Sequence, residues 1–138
     1  MKHLLLTTIA AVVLVGCSES QSITKAPDIS IQNAATIGHI DAVKQHLAAG
    51  ADVNAKAGIS EKTPLHEAAS SGHKEVVELL IANGADVNQV AKMKRVDVSG
   101  NTTVKTTPLD FAKRHPETAD LLRKHGGKTA EELKAEGR

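Results

Sequence analysis

The stretch Thr63–Asn88, TPLHEAASSGHKEVVELLIANGADVN, decides how the rest of the chain is read. It divides into two short helical segments with punctuation at both ends. Thr63 is suited to N-cap the first, its hydroxyl taking an otherwise orphaned backbone N–H. Pro64 suits the first helical position, where its missing donor costs nothing. His66 falls one turn on, within reach of the cap, so Thr63 and His66 are expected to form a structural pair. Ala68 and Ala69 are small and allow a second helix to approach closely. Gly72 is expected to end the helix in a left-handed conformation. A second helix over Lys74–Ala82 carries Val76, Val77, Leu79, Leu80 and Ile81. That apolar arc is too wide for one neighbour and calls for protein on two sides. Asn83-Gly84 stops it, and Ala85–Asn88 turns outward.

Taken together these residues resemble the ankyrin repeat. Thr63-Pro64-Leu65-His66-x-Ala68 matches its T-P-L-H-x-A signature. Gly72-His73, Val76-Val77, Leu79-Leu80 and Gly84-Ala85-Asp86-Val87-Asn88 match the remainder in order. The resemblance implies an all-α solenoid of about three helix pairs with β-hairpin fingers. It also implies that the chain binds other proteins and is not an enzyme.

Working outward, residues 28–56 form a first repeat. Asp28 is placed to cap a helix over Ile29–Ile37, Gly38 ends it, and Ile40–Ala48 is a second helix burying Val43 and Leu47. Gly50-Ala51-Asp52-Val53-Asn54 recurs 34 residues later as the GADVN of the central unit, which spans residues 57–90. The family's TPLH is missing from the first repeat, where Ile29-Ser30-Ile31-Gln32 stands instead, as suits a terminal repeat with a soluble outer face. A third repeat spans 107–128, with Thr107-Pro108-Leu109-Asp110 carrying Asp in place of His and with Phe111 and Ala112 facing inward. His115-Pro116-Glu117 shortens the loop between its helices. Thr129-x-x-Glu132 is a capping box, so a last helix within 129–136 is expected to cover the end of the stack through Leu133. The whole repeat domain is assigned to residues 28–138.

Between Asn88 and Thr107 the step is 19 residues, against 9 between Asn54 and Thr63. The extra segment, 89–106, alternates and is β-branched, and reads as a lengthened hairpin finger turning at Gly100-Asn101. Lys92, Lys94, Arg95 and Lys105 stand against Asp97. One reading is an arm that contacts an acidic partner or anionic headgroups. The other is a tolerated insertion whose lysines guard an exposed strand edge.

Residues 1–16 read as a targeting segment: Lys2, then an apolar run over Leu4–Val15, too short to span a bilayer. It closes on Leu14-Val15-Gly16-Cys17, which is similar to the lipobox of bacterial lipoproteins. That resemblance implies cleavage before Cys17, a thioether-linked diacylglycerol on it, and acylation (palmitate) of the new amino terminus. Ser18 then favours the outer membrane, facing the periplasm or the cell surface. An ordinary secretory signal with an incidental Cys is the alternative. Residues 17–27 are polar and read as a flexible tether.

Composition narrows the function. Without Lys2 the chain holds 16 basic and 16 acidic groups, one Phe, and no Trp or Tyr. Nucleic acid asks for a basic stripe and stacking rings, and neither is present. One Cys permits no internal disulfide. Seven His residues lack metal-ligand spacing, because the pairs His39/His46 and His66/His73 each straddle a helix break. No cofactor or metal is expected. The sequence therefore points to a monomeric, membrane-tethered protein-interaction module of the bacterial envelope, with an unidentified protein partner expected to carry an acidic patch. An envelope spacer, or a protective or inhibitory partner of a periplasmic enzyme, is the alternative. The face implied by the family contains Thr36 and Ile37, then Ile59, Ser60 and Lys62, then Ser70 and Ser71, then Arg114 and His115. Val90, Lys92, Lys94 and Arg95 of the insertion complete the candidate set.

Overall fold

The computed structural model describes residues 27–98 and 100–138. The targeting segment, Cys17 and nearly all of the tether lie outside the described residues. Three helix pairs follow one another: α1 (Ile31–Ile37) with α2 (Ile40–Ala48), α3 (Pro64–Ser71) with α4 (Lys74–Ala82), and α5 (Pro108–Phe111) with α6 (Pro116–Lys124). A 3-10 turn, Ala112–Arg114, extends α5. A short α7 (Ala130–Ala135) closes the described chain. The first helices pack side by side in the order α1, α3, α5, and the second helices form a parallel layer. The core runs between these layers through Ile31, Val43, Leu65, Val76, Val77, Leu80, Leu109 and Leu122, and among the described residues every buried apolar side chain lies between Ile31 and Leu133. The repeat segment thus encloses a core of its own.

Local chemistry accounts for the boundaries. Gly38 and Gly72 end α1 and α3 at φ 75° and 76°, which non-Gly residues adopt only at a cost. Pro64, Pro108 and Pro116 each open a helix. Residues 115–117 therefore do more than shorten a loop, since Pro116 and Glu117 are the first turn of α6. The cap of α1 is Ser30 and not Asp28. Ser30 Oγ accepts the Asn33 N–H, and the Ile29 carbonyl is taken by His46 Nε2 at 2.6 Å, which holds residue 29 outside the helix.

The repeats are cross-bonded at both ends of their helices. Asn54 Nδ2 donates to the Gly84 carbonyl while its Oδ1 accepts the Asp86 N–H. Asn88 does the same one repeat later, to the Gly126 carbonyl and from the Lys128 N–H. Asp52 and Asp86 stay local, each accepting the N–H two residues on. At the other end of the helices, His73 Nε2 lies 3.0 Å from the Thr36 carbonyl and His115 Nε2 3.1 Å from the Ser70 carbonyl. A Cβ on Gly72 would stand 2.4 Å from the His115 ring, so the glycine also makes room for the latch.

The insertion is a two-stranded antiparallel hairpin, β1 (Ala91–Asp97) with β2 (Gly100–Thr106). Its register pairs Asp97 with Gly100 and Val96 with Asn101, so the chain reverses before Gly100. Gly100-Asn101 belongs to strand β2, contrary to the sequence-based turn. The ladder is pinned at its base, where Ala91 pairs with Thr106. Gly100 at φ 115° serves the residue that leaves the turn.

Candidate functional site

The central capping pair sits at the junction of three elements. Thr63 N–H donates to His66 Nδ1 at 3.2 Å, and the Thr63 hydroxyl lies 2.8 Å from the same nitrogen. Both residues are fully buried. With Nδ1 accepting, Nε2 carries the proton of the neutral ring. Nε2 has no hydrogen-bond partner among the described residues. Burial lowers the His66 pKa to about 4, and the nearby Thr106 and Gln89 backbone offsets only part of that. The Phe111 ring meets His66 edge-on at 5.7 Å, and Lys62 Nζ lies 4.8 Å over the same Phe111 ring.

In the third repeat Asp110 takes the place of His66 in the motif. Thr107 N–H and Ala130 N–H both donate to Asp110 Oδ2, at 3.1 and 2.9 Å. Burial pushes this carboxyl pKa up, but the donors from Ala130 and Thr107 outweigh it and the net shift is downward. The exchange of His for Asp thus ties α5 to the start of α7. The buried His66 and the partly buried Asp110 are both committed to holding the stack together.

The sequence-predicted interaction residues separate into two clusters. Thr36, Ser70 and Arg114 occupy equivalent exposed positions at the far ends of the first helices. Ile37, 62% exposed, Ser71 and His115 follow them, although His115 is half-buried and engaged with Ser70. The other cluster lies at the fingers, a first-helix length away, roughly 12 Å. Ser60 is half-buried and its carbonyl accepts the Lys92 N–H at 2.8 Å, joining the first finger to the outer edge of β1. Lys92 Nζ pairs with Glu61 at 2.6 Å. Lys62 pairs with Glu67 at 3.4 Å and is half-buried. Val90 is partly buried at the hairpin base, whereas Lys94 and Arg95 are exposed and Ile59 is 86% exposed.

Sequence reasoning passed over Glu61. It adopts φ 53° at the tip of the first finger, where Ala57 bridges Lys62. Its carboxylate gathers Lys92 and also Lys56 at 3.6 Å, and the Lys92 bond is the main cause of its lowered pKa. Nothing local to Gly58–Lys62 signals a partner 31 residues away. Also missed were two clefts flanking the hairpin. One, about 480 Å³, lies between the first finger and β1 and includes Ile59, Glu61, Met93 and Lys94. The other, about 500 Å³, lies between β2 and α7, with Val90, Val104 and Leu133 beside Lys105, Lys134 and Arg138.

The helix-pair stack and its capping signatures agree with what known families show. A family profile described as ankyrin repeats (three copies) matches residues 31–132. The chain belongs to the ankyrin repeat family. No curated protein is similar enough to count as a match. Ankyrin repeats are in general protein–protein interaction modules and typically non-catalytic. Among the described residues, no cluster of three or more His, Cys, Asp or Glu side chains is placed to hold a metal, and no helix is long and apolar enough to cross a membrane.

Proposed function

We propose that this ankyrin repeat chain is a non-catalytic protein-binding module held at a bacterial envelope membrane through a lipid on Cys17. The observation that carries the binding role is the row Thr36, Ser70 and Arg114. Three equivalent side chains stand exposed on consecutive first helices, and the Thr36 and Ser70 carbonyls are already engaged by His73 and His115 of the following repeats. A cross-bonded frame holds such a row with little conformational freedom left to lose, which favours binding by preorganisation. The membrane part is supported by the lipobox-like Leu14-Val15-Gly16-Cys17 at the end of an apolar run. Two or three acyl chains hold firmly where one holds only weakly.

Two experiments test the parts separately. Capture from solubilised envelope by residues 18–138 is compared with capture by a variant carrying Thr36→Glu, Ser70→Glu and Arg114→Glu. A partner held by the first and lost by the second supports the row as the binding face. Equal capture by both removes the row from the proposal. For the anchor, intact mass of the mature protein reports acylation. Cys17→Ser should abolish the lipid mass and release the protein from the membrane fraction, and an unmodified wild-type Cys17 overturns the anchor.

A further inference from the structure

The hairpin carries an arrangement that the binding row leaves unused. Its register places Lys92, Lys94 and Val96 on one face of β1, opposite Lys105, Thr103 and Asn101 of β2. Lys92 stands directly across from Lys105. Like charges in that relation destabilise a two-stranded ribbon. Glu61 relieves Lys92, but Lys94 and Lys105 remain exposed on the same face, and Arg95 on the opposite one. Toward the tip the character changes. Val96 is 84% and Val98 fully exposed. The hairpin is therefore basic along its stem and carries two exposed valines at its end, in sequence with Asp97, Gly100 and Asn101. At about 3.4 Å per residue, the tip valines begin roughly 7 Å beyond Lys94. That spacing suits apolar side chains at the headgroup–acyl boundary with cations at phosphate level, since interfacial segments enter about 5–10 Å.

We propose that the β1–β2 hairpin is a membrane-contact arm, its tip seated in an anionic bilayer surface and Lys94, Arg95 and Lys105 facing the lipid phosphates. Four bases against one acid in the hairpin give the charge complementarity. The inference rests on the proposed function only in placing a bilayer within reach. Each basic group near an anionic surface contributes about 1 kcal/mol, or roughly fivefold in partitioning. Three such groups predict roughly a hundredfold preference for anionic over neutral lipid.

The test uses residues 18–138, without lipid, so it is independent of acylation and of any protein partner. Vesicles of phosphatidylglycerol and phosphatidylcholine in equal amounts are compared with phosphatidylcholine alone by co-sedimentation. Binding to the first only, lost in Lys94→Glu with Lys105→Glu and weakened in Val96→Ser with Val98→Ser, is the expected result, with circular dichroism confirming that the variants stay folded. Because the chain has no Trp or Tyr, Val98→Trp supplies a single reporter whose emission should shift to the blue on anionic vesicles. Failure to sediment with anionic vesicles overturns the proposal, as does binding that survives the charge reversals. Binding to soluble polyglutamate but not to the vesicles also overturns it and assigns the arm to an acidic protein.

Discussion

Lowering the pH should weaken this stack through one residue, His66. In the folded chain its ring is buried and neutral, with a pKa lowered to about 4 from the ordinary 6.5. The unfolded chain takes up a proton near 6.5 and the folded chain resists until about 4. Stability from this site is therefore complete above pH 6.5 and is lost as pH falls from 6.5 toward 4. The full difference corresponds to about 3 kcal/mol, of which about 2 kcal/mol is lost by pH 5. For a domain of this size that is roughly 8–16 °C in Tm. Thermal unfolding followed by circular dichroism at pH 7.5 and at pH 5, for wild type and His66→Asn, gives the comparison. Wild type should lose stability steeply over this window. The Asn variant should start lower, having lost the bond to Thr63, but decline much less. The acid loss of Asp110 lies below this window, because a lowered carboxylate pKa removes stability only as pH falls past its ordinary value and beyond. An NMR titration of the His66 ring supplies a direct reading. A folded-state midpoint near 6.5, or parallel acid losses in the two proteins, would refute the reasoning.

Other substitutions probe the frame. Gly72→Ala and Gly84→Ala both place a side chain at positive φ, but only the first meets the His115 ring. We expect about 1 kcal/mol lost at Gly84 and more than about 2 kcal/mol at Gly72 by urea unfolding, with part of the latter restored in His115→Ala. Asn88→Ala leaves the Gly126 carbonyl and Lys128 N–H without their partner and should cost about 1–2 kcal/mol, with faster amide exchange at Lys128. Leu133→Ala empties a buried position on α7 and should cost about 2–4 kcal/mol in the same unfolding assay. An unchanged midpoint would show that α7 is not part of the cooperative unit.

Much of the repeat architecture was legible because its signals are local. Thr63-Pro64 opens α3, Gly72 closes it, and the Val76–Ile81 arc explains two-sided burial within one short stretch. What escaped depends on distance. His73 follows a glycine and His115 an arginine at the helix gaps, but the carbonyls they bond lie 37 and 45 residues earlier, so neither can be read as a latch from its neighbours. The same holds for Asn54 and Asn88, whose amides serve the following repeat. At the hairpin, Gly100-Asn101 carries turn chemistry, but the register is set from the base of the ladder by Ala91 and Thr106, and both residues are already paired within β2. At the first helix, Asp28 and Ser30 are both competent caps. The choice falls to Ser30 because His46, from the next helix, occupies the Ile29 carbonyl. Of the candidate interaction residues, exposure at Thr36, Ser70 and Arg114 follows from repeat phase alone. The engagement of Ser60, Lys62 and Lys92 required knowing which finger lies beside which.

The bond from Ala130 to Asp110 also sets where this array can grow. A histidine in that position faces a following repeat, while the aspartate here holds the opening turn of a closing helix. An extra unit spliced in after residue 128 would part Asp110 from Ala130 and strand both. One spliced in ahead of Thr107 would leave the terminus intact and extend the row of first helices by one. Lengthened versions of this protein should therefore be built from the middle.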